Sequence, residues 1–131
     1  MKNCGLLNPA LLDAVASLGH TEYLVICDAG LPIPEGIKRV DVSLVPGTPC
    51  FDDVLRAICS EMVVESYIYA TEMEEKNPSE LQTMRQILKD VPGSGVSHEE
   101  FKALTRSARC IVRTGETKPY ANVILVGGVN F

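Results

Sequence analysis

The stretch from Leu18 to Pro34 reads Leu-Gly-His-Thr-Glu-Tyr-Leu-Val-Ile-Cys-Asp-Ala-Gly-Leu-Pro-Ile-Pro, and its centre is the apolar run Tyr23 to Cys27. A short apolar run that contains β-branched residues and is bounded by glycine and proline is typical of a buried strand in an α/β sheet. Polar side chains flank this run, His20 before it and Asp28 after it. Because ligands of open α/β sheets bind outside the carboxyl ends of the strands, Asp28 is a candidate contact for a polar substrate.

The composition indicates one globular domain, residues 1–131. The chain has 131 residues, of which 46% are hydrophobic and 22% charged, which is enough apolar material for a single core. A net charge of -5 argues against a nucleic-acid partner, which requires a basic face. No apolar run approaches the roughly 20 residues of a membrane span, and no signal peptide pattern is present. We therefore expect a cytoplasmic protein without nucleic-acid or membrane partners.

The five cysteines form no Cys-x-x-Cys pair, and their odd number leaves one over in any pairing. Free thiols in a reducing compartment are the simplest interpretation. Cys27 and Cys110 fall in predicted strands, where a thiol acts as a small apolar side chain. Two histidines far apart in sequence, with no cysteine cluster, do not suggest a zinc site, so no metal is predicted.

The rest of the chain shows helical and strand patterns in alternation. Asn8 before Pro9 and Asn77 before Pro78 are typical helix starts, and Ser97 to Glu100 matches a capping box. Proline and glycine at 92–95 predict a loop after the third helix. Helices are predicted at 9–18, 50–60, 78–88 and 97–105, and strands at 23–27, 40–44, 63–70, 109–114 and 122–127.

This alternation predicts an α/β fold. We expect a three-layer α/β/α single domain, with helices on both faces of a mostly parallel sheet. The order of the strands in the sheet is left open by the pattern.

The sequence favours acid-base catalysis by histidine and carboxylate side chains. The chain has no P-loop, no dinucleotide fingerprint and no Gly-x-Ser-x-Gly elbow. Histidine is the side chain that ordinarily titrates near neutrality. His20 and His98 both lie at predicted element boundaries, and the helix macrodipole favours a neutral imidazole at His98. The alternative interpretation is that both are ordinary surface residues and that Asp28 only bonds its own loop backbone.

Five short segments in order along the chain carry a family resemblance: Leu-Gly-His-Thr (18–21), Cys-Asp-Ala-Gly-Leu-Pro-Ile-Pro (27–34), Ser-His-Glu-Glu-Phe-Lys (97–102), Arg-Thr-Gly-Glu (113–116) and Pro-Tyr-Ala-Asn (119–122). Together they resemble the D-ribose pyranase family, whose relatives, the L-fucose mutarotases, share the same broad plan. Residues 74–96 match none of its motifs.

The resemblance implies an isomerase that interconverts the pyranose and furanose rings of D-ribose without a cofactor. It also implies a ring-shaped homo-oligomer, commonly a decamer of two stacked pentamers, with sites at subunit contacts. His20 matches the proton donor of the family. The sugar-binding positions are matched by Asp28, His98, Tyr120, Ala121 and Asn122.

The chemistry of ring opening agrees with these residue types. A proton must reach the ring oxygen and another must leave the anomeric hydroxyl, which positioned groups titrating near pH 7 can accomplish. In this hypothesis His20 is the acid, Asp28 and Asn122 hold sugar hydroxyls, and Tyr120 offers an apolar face and a donor.

Three alternatives stay open at this point: an L-fucose mutarotase, a non-catalytic sugar-binding module, and a purely structural ring protein. One further expectation concerns assembly. The chain ends in an apolar stretch, 122–131, although free termini are usually polar. With the resemblance, this predicts that His20 and the segment 120–122 meet across two chains.

Overall fold

The computed structural model describes all 131 residues, which form six strands and five α-helices. A short 3-10 turn, Thr105–Ser107, follows the last helix, and no helix has the length and apolarity to cross a membrane. The helices are α1 (Pro9–Ala16), α2 (Phe51–Cys59), α3 (Glu72–Lys76), α4 (Pro78–Ile87) and α5 (His98–Leu104). The strands are β1 (Tyr23–Cys27), β2 (Lys38–Asp41), β3 (Val64–Ala70), β4 (Gly93–Val96), β5 (Ala108–Arg113) and β6 (Val123–Gly127).

All six strands form one sheet in the order β2-β5-β1-β6-β3-β4. The pairs β2 with β5, β5 with β1, and β3 with β4 are parallel. Strand β6 runs antiparallel to both of its neighbours, β1 and β3. Five strands therefore share one direction, and the mostly parallel sheet is confirmed. Because β6 is reversed, its amino end lies at the same end of the sheet as the carboxyl ends of the five parallel strands.

The layers follow from the alternation of side chains along β1. Leu24 and Ile26 point into a large core shared with α1, α2 and α4. Val25 and Cys27 point the other way, into a smaller core that contains Phe101 of α5. With both faces of the strand covered, every one of these residues is buried, and the three-layer α/β/α prediction is confirmed.

The predicted loop at 92–95 is wrong, because Gly93–Val96 pairs with β3 as an edge strand. Its glycines make room for tyrosine rings of the neighbouring strand. A Cβ on Gly93 would lie 2.2 Å from Cζ of Tyr67, and one on Gly95 would lie 3.2 Å from Cζ of Tyr69. The residues that suggest a loop therefore serve close packing at a sheet edge.

The strand predicted at 40–44 is shorter than expected and ends at Asp41. Beyond it the chain leaves the sheet, and Leu44 is 77% exposed. Helix α3 has no counterpart among the sequence predictions.

The three predicted helix starts are confirmed, but only two of the three predicted capping side chains bond to their helix. Asn8 Oδ1 accepts the N–H groups of Ala10 and Leu11 at 3.0 and 3.1 Å, and Ser97 Oγ accepts that of Glu100 at 3.1 Å. Asn77 precedes α4 as expected, but its side chain does not cap the helix.

Candidate active site

Asp28 follows β1 and has its carboxylate fixed from two sides. Its Oδ1 accepts the N–H groups of Gly30 and Leu31, both at 2.9 Å, so the residue does bond its own loop. Its Oδ2 accepts a hydrogen bond of 3.1 Å from Nδ2 of Asn122. In return the Asp28 N–H donates to Oδ1 of Asn122 at 2.9 Å. Since Asn122 is fully buried, it holds the carboxylate in one orientation.

Tyr120 connects this pair to His98. It is one of two non-glycine residues with positive φ, at 57°, so the backbone turns sharply just before β6. The Asn122 N–H donates to the Tyr120 carbonyl at 2.8 Å. The rings of Tyr120 and His98 meet edge to face, with centroids 5.0 Å apart. Ala121, buried between Tyr120 and Asn122, can contact a ligand only through its backbone and methyl group.

His98 is the first residue of α5, and its backbone is anchored by a carboxylate that sequence reasoning missed. The His98 N–H lies 3.0 and 2.9 Å from the two carboxylate oxygens of Glu72. This hydrogen bond lowers the pKa of Glu72 below its usual value. On the ring, Nδ1 is buried and has no hydrogen-bond partner within the chain. Because the chain's own atoms cover this nitrogen, a ligand can reach the His98 ring only at its other atoms.

The loop that carries Tyr120 is tied to the end of β1 by Thr114. Its Oγ1 donates to the Cys27 carbonyl at 2.8 Å and accepts the Glu116 N–H at 3.1 Å. Thr114 and Glu116 belong to the Arg-Thr-Gly-Glu segment, a signal to which no role was assigned from sequence. The neighbouring thiol of Cys27 is no nucleophile, because burial raises its pKa to about 12.

His20 lies in the connection between α1 and β1. Its side chain is half exposed, and its Nε2 lies 3.2 Å from Oε1 of Glu65. The next residue, Thr21, has a φ of 67°, which is strained for a β-branched residue. The Thr21 N–H donates to the carbonyl of Gly127 at 2.8 Å. A Cβ on Gly127 would lie 2.6 Å from the Gly19 carbonyl, so the connection packs directly on the end of β6.

Within one chain, His20 is separated from the other predicted site residues. Asp28 and His20 flank opposite ends of β1, whose five residues span about 16 Å at roughly 3.3 Å each. The structure brings Asp28, His98 and the segment 120–122 together at the end of the sheet where the parallel strands have their carboxyl ends. At the opposite end of the strands, His20 lines a cavity of about 280 Å³ with the apolar carboxyl terminus, including Val129 and Phe131.

No group of three or more His, Cys, Asp or Glu side chains is arranged to hold a metal ion.

Comparison with known proteins gives full-length matches. A D-ribose pyranase of Exiguobacterium sibiricum is 50% identical over 131 residues, which is 100% of both chains. The structure of Bacillus subtilis RbsD complexed with D-ribose is 44% identical, covers 100% of both chains and superposes with a TM-score of 0.96. The fucose mutarotase of Streptococcus pneumoniae, in complex with L-fucose, is 26% identical over 95% of this chain and 94% of its own, with a TM-score of 0.82.

The resemblance to the D-ribose pyranases is thus confirmed over the whole chain, and so is the α/β architecture that it implies. A family model described as the RbsD / FucU transport protein family matches residues 1–130. On these grounds, the chain belongs to the RbsD/FucU family.

Proposed function

We propose that this protein is a D-ribose pyranase, an isomerase that interconverts the pyranose and furanose forms of D-ribose by acid-base ring opening without a cofactor. The observation that carries the proposal is the continuous contact from Asp28 through Asn122 and Tyr120 to His98. This cluster stands in a chain that is 44% identical, over its full length, to a protein complexed with D-ribose.

Each group has a role that its geometry supports. The carboxylate of Asp28 has acceptor capacity beyond the three hydrogen bonds it receives, so it can bind a sugar hydroxyl. The ring of His98, which meets that of Tyr120 edge to face, is a second candidate contact for the sugar. Tyr120 offers its ring face and hydroxyl. Asn122 is buried and acts through Asp28, whose orientation it sets.

His20 is the proposed acid that protonates the departing ring oxygen. His20 lies at the opposite end of β1 from Asp28. It can therefore reach a sugar bound at Asp28 only if the two residues come from different chains. The apolar terminus beside His20 supports such a contact, since Phe131 is fully exposed and Val63 and Val129 are also exposed. We therefore place the active site between two chains of a homo-oligomer, and the resemblance suggests a decamer of two pentamers. Native mass spectrometry measures that number.

D-Ribose is favoured over L-fucose. The match to the D-ribose pyranase of E. sibiricum is 50% identical, whereas the match to the fucose mutarotase is 26% identical. The five free thiols fit a cytoplasmic enzyme, where a reducing environment preserves them.

The activity is tested by saturation-transfer NMR, which measures exchange between ribopyranose and ribofuranose directly. Wild-type protein should accelerate exchange, before and after dialysis against a chelator, and should act less on L-fucose. His20→Ala should abolish exchange while ribose still binds. If His20→Ala retains full exchange, His20 is not the acid; if no exchange occurs with wild type, the proposed function is wrong.

The shared site is tested by mixing subunits. His20→Ala and Asp28→Asn are each expected to be inactive, and they are unfolded, mixed equally and reassembled. If each site takes His20 from one chain and Asp28 from another, about a quarter of the sites regain both groups. Wild type mixed with the double variant is the matched control: its activity falls to about a quarter for shared sites and to about a half for sites within one chain. Mixed oligomers without recovery would contradict the shared site.

A further inference from the structure

Three carboxyl side chains lie close together beside the loop that leads to the segment 120–122, and none of them was assigned a role from the sequence. Glu80 of α4 is only 3% exposed and Glu116 only 5% exposed. Asp52 of α2 lies within hydrogen-bonding reach of Glu80. Their surroundings place this cluster between the amino-terminal turns of two helices and the loop that leads to Tyr120.

Both carboxylate oxygens of Glu116 accept hydrogen bonds from backbone N–H groups. Its Oε1 accepts the N–H of Phe51, in the first turn of α2, at 3.2 Å. Its Oε2 accepts the N–H groups of Thr117 and Lys118 at 3.0 and 3.3 Å. Glu116 therefore ties the loop to α2 and requires no additional proton.

Glu80 and Asp52 are in a different situation. Oε1 of Glu80 and Oδ1 of Asp52 are both buried, and neither has a hydrogen-bond donor within the chain. A buried carboxylate oxygen without a donor is costly, and here two such carboxyl groups lie within hydrogen-bonding reach of each other. One proton shared by the pair satisfies both, because a protonated carboxyl donates to its partner.

The same helix that carries Glu80 also holds the loop. Asn77, which precedes α4 and is 7% exposed, donates from Nδ2 to the Pro119 carbonyl at 2.9 Å. The loop is thus held by α4 through Asn77 and by α2 through Phe51. Asp52 directly follows Phe51, Glu80 lies in the first turn of the helix that Asn77 precedes, and Tyr120 follows directly after Pro119.

We propose that Glu80 and Asp52 form a proton-sharing pair that positions the Tyr120–Asn122 segment, so that sugar binding weakens when the pair loses its proton. Glu80 is in this view a positioning residue, since it acts on the sugar only through the loop. The inference rests on the proposed function, because the ligand is the sugar bound at that segment.

The charged groups facing Glu80 place the loss of this proton near neutrality. Burial, followed by the carboxylates of Asp52 and Glu116, raises the pKa of Glu80 to about 7, and Lys118 opposes them. About a tenth of such a group is ionised at pH 6 and about nine tenths at pH 8. If only the protonated pair binds sugar, the apparent dissociation constant rises about tenfold between these two pH values.

The test measures the dissociation constant of D-ribose by titration calorimetry at pH 6 and pH 8, for wild type and Glu80→Gln. The amide of the variant donates to Asp52 at every pH. Between pH 6 and pH 8 the dissociation constant of wild type should therefore increase by a factor about ten times larger than that of Glu80→Gln. The value of kcat at saturating ribose should stay similar. Comparing the two proteins removes the contribution of every group other than the pair. Glu75→Gln, which neutralises an exposed carboxylate on α3, is the matched control and should behave like wild type.

Asp52→Asn is the second variant. It should also weaken the pH dependence of the dissociation constant, because its amide donates to Glu80. The same pH dependence in wild type and in both variants would overturn the proposal. Infrared spectroscopy gives a reading without sugar: the carbonyl band of a protonated carboxyl should disappear between pH 6 and pH 8 in wild type and be absent in Glu80→Gln. If wild type binds no ribose at pH 6, the proposed function and the effect on binding fail together, whereas the infrared band still decides whether the proton is shared.

Discussion

The pair formed by Asn122 and Asp28 can be probed with two substitutions that differ in shape and charge. Asn122→Ala removes the acceptor for the Asp28 N–H and the donor to Asp28 Oδ2, at 2.9 and 3.1 Å in the structure. A neutral hydrogen bond contributes about 1 kcal/mol and one to a charged group about 2 kcal/mol. We therefore expect Asn122→Ala to lower the free energy of unfolding by about 3 kcal/mol.

Asn122→Asp keeps the shape of the side chain but replaces the donor with a second carboxyl, against Asp28 in a fully buried position. The pKa of the introduced carboxyl is raised in the folded state by burial and by Asp28. Above its folded pKa the variant should lose about 3 kcal/mol or more. Below the ordinary Asp value of about 3.9 the penalty vanishes, because the protonated carboxyl then donates to Asp28 as the amide does. The loss should therefore grow as the pH rises from about 4 to 7.

The assay is urea unfolding followed by circular dichroism at pH 4 and pH 7, at one fixed protomer concentration, because association adds to apparent stability. The alanine variant is the matched control, since it introduces no titrating group. Equal losses for both variants at both pH values, or an aspartate variant as stable as wild type at pH 7, would refute the assigned hydrogen bonds.

Three further predictions concern the supports of the site. Thr114→Val should lower the free energy of unfolding by about 2 kcal/mol, because Cys27 and Glu116 each lose a buried partner; Thr114→Ser keeps the hydroxyl and should lose clearly less in the same urea titration. Glu72→Gln should flatten the fall in stability below about pH 4.5: the pKa of Glu72 is lowered by its bond to the His98 N–H, so its contribution is present above its ordinary pKa of 4.5 and is lost as the pH falls. Thermal unfolding between pH 3 and 6 measures this, and identical curves would contradict it. His98→Ala should raise KM for D-ribose more than it lowers kcat in the exchange assay; a larger effect on kcat would assign His98 to the chemical step.

Local features of this protein were readable in its sequence. The run Tyr23–Cys27 is a buried strand, and Asn8 and Ser97 cap their helices, because capping and side-chain period depend on residues only a few positions apart. The family was readable for a different reason, since five short segments carry it.

Other features escaped local reasoning because they depend on distant neighbours. The glycines at 93 and 95 suggest a loop until the tyrosines of β3 are seen packed over them. Glu80 looks like an ordinary first-turn glutamate, and its burial against Asp52 depends on how α2 and α4 are placed. Asn77 has the local sequence of a cap, but the nearby Pro119 carbonyl takes its side chain.

The geometry of the candidate site depends most on the direction of β6. An alternating or apolar strand pattern reads the same in either direction, so Val123–Gly127 carried no sign that it runs antiparallel between β1 and β3. This reversal brings Asn122 to Asp28 at one end of β1 and leaves Gly127 beside the His20 connection at the other end. The residues of the candidate site were predicted from the sequence, whereas their division between the two ends of the strands arises from strand pairing, which is a long-range property of the folded chain.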